Sequence, residues 1–290
     1  MANLFPMTLT EARFKALTGE LSTAVAKLKG DASVKVVHRL RTTTRRMESL
    51  IEYLHPKLTR KQSDAIQELG ALRKRAGKVR DLDIQMDLLK QGIGNGSATV
   101  DRRSLTQALQ QKRSRQADRL VVAARKIERS KLFTHLQKIE AQAMMQPDSF
   151  GDASTPLRQA ETQLTELAAE FVGHARLKPR LLHSLRMRMK FIRYQAELAA
   201  ESDEQKQFVE RMKSVQDILG EWHDWQALCV VAEKFFRDRA NCPLLVEARA
   251  VRASKYSAAI SAVTNLLDSH NPVRKRPSNV QLMASSTKRA

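Results

Sequence analysis

Residues 37–54 are VHRLRTTTRRMESLIEYL, and residues 182–198 are LHSLRMRMKFIRYQAEL. At an offset of 145, Val37, Leu40, Thr44, Met47, Ile51 and Leu54 fall on Leu182, Leu185, Met189, Ile192, Ala196 and Ala199. Both sets step by 3, 4, 3, 4 and 3 residues, the spacing of one buried helix face. One residue past this seam stand His38, Arg41 and Arg45, matched by His183, Arg186 and Lys190. The second stretch then adds Arg193 where the first has Glu48. The next helix repeats at an offset of 143, with Ala65, Leu69, Leu72, Ala76 and Val79 on Phe208, Met212, Val215, Leu219 and Trp222. Beside that seam, Arg73, Gly77, Arg80 and Asp81 match Gln216, Gly220, His223 and Asp224. The change of offset falls in the intervening loop, where insertions are tolerated. The chain therefore carries two versions of one helical unit.

The rest of the chain agrees with an all-α fold. Helices are expected from Thr10, as N-cap, to Gly30, then from Asp31 to before Pro56, from Ser63 to Lys90, and from Asp101, with a break, to Met145. Further helices are expected over 157–172, 179–200, 204–236 and 244–268, and alternating β-branched runs are absent. The segment QPDSFGDASTP (146–156) is the natural boundary. This divides the chain into a first bundle (1–146), a linker (147–156), a second bundle (157–269) and a disordered basic tail (270–290) with Arg274, Lys275, Arg276, Lys288 and Arg289.

Across 290 residues the net charge is +20, which points to polyanion partners. Residues 174–193 hold seven Lys or Arg and no acid, and residues 35–80 hold thirteen against four. A merely solvated helix face mixes both signs, so these runs need a use. Aromatics are only 5%, too few for a base-stacking surface. Cys229 and Cys242 alone exclude a disulfide framework or a Cys-rich zinc site. No apolar run reaches membrane-span length, and the N-terminus lacks a signal-peptide pattern, so the expected compartment is the cytoplasm.

His38, Arg41 and Arg45 share one helix face and span about 10 Å along it. His183, Arg186, Lys190 and Arg193 are placed the same way. If the two copies pack about a pseudo-two-fold axis, both faces line one channel. Arg forks two phosphate oxygens and Lys supplies a point charge. A plain set of salt-bridged helices would need acids, and the two helices offer only Glu48, Glu52 and Glu197. The neighbouring Arg residues should disfavour the imidazolium of His38 and His183, and bound phosphate should restore it, making binding pH-sensitive.

His223–Asp224 invites comparison with HD-type metal phosphohydrolases. The equivalent pair is Arg80–Asp81, and Arg cannot ligate a metal. No H-E-x-x-H, phosphate-loop, dinucleotide-loop or G-x-S-x-G pattern occurs. Asp81 and Asp224 are better explained as structural acceptors that hold the basic side chains. Cys229 (in ALCVVA), Trp222 and Trp225 fit the core.

Together, VHRLRTTTRRMESLIEYL, LHSLRMRMKFIRYQAEL, RAGKVRDLDIQ (75–85) and ILGEWHDWQAL (218–228) resemble the CHAD domain, the conserved histidine α-helical domain, from about residue 8 to 268. The resemblance implies two pseudo-symmetric antiparallel helical bundles, about four helices each, around a basic central groove or pore. It implies binding of inorganic polyphosphate, and association of several members with polyphosphate granules. Some members carry a fused triphosphate-tunnel catalytic domain; no segment remains for one here, so a stand-alone binding module is expected. The implied binding residues are His38, Arg41, Arg45, Arg46, Arg73, Arg80, His183, Arg186, Lys190, Arg193 and His223. Glu48 and Phe191 depart from the family's basic row.

The expectation is non-catalytic polyphosphate binding in the cytoplasm or at granules. It involves no metal, cofactor or membrane, and nucleic acid binds only non-specifically. The competing expectations are a metal-dependent phosphohydrolase at His223 and Asp224, or a general nucleic-acid binder.

Overall fold

A computed structural model describes residues 9–30, 32–54, 59–91, 98–144, 154–171 and 177–271. Among them the elements are α1 (Leu9–Leu28), α2 (Val34–Leu54), α3 (Arg60–Lys90), α4 (Thr99–Arg129), α5 (Leu132–Met144), α6 (Thr155–Glu170), α7 (Pro179–Ala196), α8 (Asp203–Phe235) and α9 (Pro243–His270). A 3₁₀ turn over Arg237–Arg239 joins the last two. No strand occurs among the described residues, so the fold class is all-α as expected. No described helix is long and apolar enough to cross a membrane.

Several helix ends differ from expectation. Thr10 lies inside α1 and does not cap it. Asp31, most of the 92–98 loop and the tail beyond Asn271 lie outside the described residues. The third helix starts at Arg60, not Ser63, because Thr59 and Gln62 form a capping box. The break in the fourth predicted helix falls at Ser130, whose extended backbone ends α4. Its hydroxyl donates to Glu68 at 2.8 Å and accepts from the Leu132 amide at 3.2 Å. Pro179 and Pro243 start α7 and α9, where a missing N–H costs nothing. Helix α7 stops at Ala196, short of residue 200, and Arg13 of α1 donates to the carbonyls of Glu197 and Ala199 at 2.8 and 2.7 Å.

Every residue of the four repeated seams is buried. Thr44, the one polar member, donates its hydroxyl to the Leu40 carbonyl. One core gathers α1, α2, α3, the end of α4 and α5. A second gathers α6, α7, the first half of α8 and the end of α9. A third joins residues from both halves: Leu82, Leu89, Leu105 and Leu109 meet Trp225, Leu228, Cys229, Phe236 and Leu245. Each fully buried Leu or Phe contributes about 1.5–3 kcal/mol, and this offsets the mutual repulsion of the cations described next. Arg239 pairs with the buried Asp101 at 2.9 Å, a second tie between the halves. Helix α2 packs on α7 and α3 on α8.

Candidate anion-binding groove

A cavity of about 560 Å³ lies between α2, α3, α7 and α8. From α2 come His38, Arg41, Thr42, Arg45 and Arg46; from α7, Arg186, Lys190, Arg193 and Tyr194. Helix α3 supplies Arg80, Asp81 and Ile84. Helix α8 supplies Lys213, Gln216, Asp217, Gly220, Glu221, His223 and Asp224. Eight Arg or Lys side chains thus meet four carboxylates, leaving a strongly positive lining.

Two of the expected residues are placed elsewhere. Arg73 does not line the groove; its Nε donates to Glu48 at 2.8 Å. His183 stacks on His223 with ring centroids 5.3 Å apart and reaches the groove only through it. Of the two expected acceptors, Asp224 contacts a basic side chain and Asp81 acts through its charge. Asp224 meets His223 Nδ1 of its own helix at 3.3 Å. Asp81 acts on Arg41, His223 and Arg186 through its charge.

The cations sit in an environment that works against their charge. Arg186 is only 9% exposed, and its Nε has no hydrogen-bond partner. Burial lowers its pKa, Asp224 supports the charge, and Arg45 opposes it. Burial, then Arg186, Arg45 and Arg41, pulls Lys190 down to about 6. At neutral pH this favours the uncharged amine at Lys190. His38 is lowered by burial, then by Arg80 and Arg41. His183 is lowered by burial, then by His223, Arg186 and Lys190. Burial also raises Asp81, against the pull of Arg41 and His223. A negative charge placed in the groove would offset the repulsion among these cations, though not the cost of their burial.

Local packing sets the reach of these groups. A Cβ at Gly77 would lie 2.9 Å from Arg41 Nη1, so the guanidinium lies directly over the α3 backbone. Gln216, the repeat partner of Arg73, donates to the Met189 carbonyl at 2.8 Å and ties α8 to α7. Glu197 holds Arg46 at 3.2 Å and Arg193 at 3.1 Å. Sequence reasoning missed Thr42, Tyr194, Lys213 and Gln216. Stepping back from His223 by helical turns through Gly220 would have reached Gln216 and Lys213. Among the described residues no three His, Cys, Asp or Glu side chains are grouped as a metal site requires.

The family model of the CHAD domain matches residues 12–233. The chain belongs to the CHAD domain family. A comparison with curated proteins finds no match. The crystal structure of the CHAD domain from the plant Ricinus communis superposes with a TM-score of 0.65 at 14% identity, covering 90% of each chain. PptA from Streptomyces chartreusis superposes with a TM-score of 0.60 at 16% identity, covering 89% of this chain and 97% of its own. At such identities the likeness is one of fold. All of α9 lies beyond the matched residues, yet its Ala259, Val263, Leu266 and Leu267 complete the second core.

Proposed function

We propose that the groove binds inorganic polyphosphate without hydrolysing it, and that binding brings the chain to polyphosphate granules in the cytoplasm. The observation that carries this reading is the convergence of Arg41, Arg45, Arg186 and Lys190 from two helices of different repeats on one cavity. CHAD-family membership supports a polyphosphate-related role. The lining offers phosphate oxygens many donors but gives nucleobases little to stack on, since Tyr194 is buried and His223 is already stacked. A polymer with one negative charge per phosphate and no bases fits this better than DNA or RNA. The tail cations add non-specific attraction.

The test is a titration with long-chain polyphosphate at physiological salt, with duplex DNA as competitor. Wild type is run beside an Arg41→Ala/Arg186→Ala double variant. Tight binding that DNA does not displace, that weakens steeply with salt and that is lost in the double variant is the expected result. Weak binding displaced equally by DNA and indifferent to the double variant would mean that the charge acts diffusely. Divalent-dependent phosphate release abolished by Asp224→Ala would replace the binding reading with a hydrolase.

A further inference from the structure

A second cavity of about 350 Å³ adjoins the basic groove, sharing Arg46 and Tyr194 with it, and is also lined by Arg13, Glu201 and Lys206. Glu197 lines this second cavity, at the boundary. Its Oε2 takes Arg46 Nε of α2 at 3.2 Å, and its Oε1 takes Arg193 Nη1 of α7 at 3.1 Å. The same Arg193 guanidinium lies 4.7 Å over the Tyr194 ring. The Glu197 side chain is 18% exposed, against 79% for Glu201 nearby. Arg13 pins the Glu197 and Ala199 carbonyls, so the carboxylate is held on a fixed piece of backbone. Glu197 thus does to two groove guanidiniums what a phosphate would do.

We propose that Glu197 is a length gate: an internal anion that must yield before a polyphosphate chain can run from the groove into the second cavity. The proposal rests on the groove's being a polyphosphate site. A short chain lies among Arg41, Arg45, Arg186 and Lys190 with Glu197 in place. A chain continuing past Tyr194 must take Arg46 and Arg193 from Glu197. Beyond that point it meets Lys206, whose ion pair with Glu201 is loose at 3.7 Å. Glu197 therefore weakens the binding of long chains and leaves short ones alone.

Wild type, Glu197→Gln and Glu161→Gln are titrated with tripolyphosphate and with long-chain polyphosphate. Glu161 is exposed on α6 and lines neither cavity, so its variant reports the effect of charge removal alone. Gln at 197 keeps the shape and the hydrogen-bonding oxygen. Glu197→Gln is expected to tighten long-chain binding about fivefold and leave tripolyphosphate unchanged. Glu197→Asp, which shortens the reach to both arginines, is expected to move long-chain affinity in the same direction. Glu161→Gln is expected to change neither. No change at Glu197, or equal tightening for both ligands, overturns the gate while leaving the groove reading intact. Wild type that binds neither ligand overturns the groove reading and the gate with it.

Discussion

On α2, Arg41 reaches across Gly77 and is half-buried over the α3 backbone. On α7, the matching Arg186 is sunk to 9% exposure, and no atom approaches the missing Cβ of Gly220. Three residues past Arg45, α2 carries Glu48, which draws Arg73 out of the groove; three past Lys190, α7 carries Arg193, which lines it. Outside the cationic row, α2 presents Thr42 and Arg46, where α7 presents the exposed Met187 and Phe191. One repeated pattern has thus produced two walls that differ in lining, with Arg186 the less exposed of the two matching arginines. The depth of a cation decides how much it gains when an anion arrives, because a poorly solvated charge is the one most in need of a partner.

The largest expected effect separates the two walls. Arg186→Ala should weaken long-chain polyphosphate binding about a hundredfold and Arg41→Ala about tenfold, spanning the range for charge-assisted hydrogen bonds. Isothermal titration of both single variants checks this, and equal losses would erase the distinction between walls.

The next effect is pH dependence. Lys190 ordinarily titrates near 10.5 and here near 6, and His38 and His183 are also lowered. Above pH 6 the empty groove must take up a proton when a polyanion restores the Lys190 charge, so affinity should fall as pH rises. We expect about tenfold tighter binding at pH 6 than at pH 8, since each pH unit of proton uptake is worth up to about tenfold. Lys190→Met should flatten most of that slope. The unfolded chain holds the Lys190 proton between about pH 6 and 10.5 while the native chain does not, so this group makes the native state more stable as pH rises through that window. Thermal unfolding at several pH values, with and without Lys190→Met, tests the sign.

The smallest effect has opposite signs in two assays. Gly77→Ala should raise helix stability by about 0.5–1 kcal/mol, because the atom in the way is the movable tip of Arg41. The displaced guanidinium should weaken polyphosphate binding about threefold, a fraction of one charge-assisted contact. Gly19→Ala, with open space around it in α1, should raise stability similarly and leave affinity unchanged. A Gly77→Ala variant that is more stable and binds equally well would show that Arg41 does not need its place over α3.

The seams were legible because burial imposes a period that the residues display directly. Arg41, Arg45, Arg186 and Lys190 were legible for a related reason: a side chain one step past a buried seam faces the neighbouring helix. Arg73 occupies an equally promising position, but its placement is decided by Glu48, a partner 25 residues away that the repeat does not share. The early end of α7 depends on Arg13, 184 residues from Glu197. Such relations between distant residues leave no periodic trace. The third core escaped for the same cause, since its apolar residues continue the α3 and α8 seams without announcing that they meet.

The third core also bears on when the site comes into being. Its members run from Leu82 to Ala248, and the groove walls run from His38 to Asp224. Contacts so far apart in the chain close late, after the local helical hairpins have formed. During synthesis, a chain that has emerged only through α6 displays the α2 cations but has no opposing wall to concentrate them. Polyanions in the cell therefore meet a weak, diffuse patch until α8 has been made and docked. The groove is a property of the finished molecule, because neither repeat alone carries both of its walls.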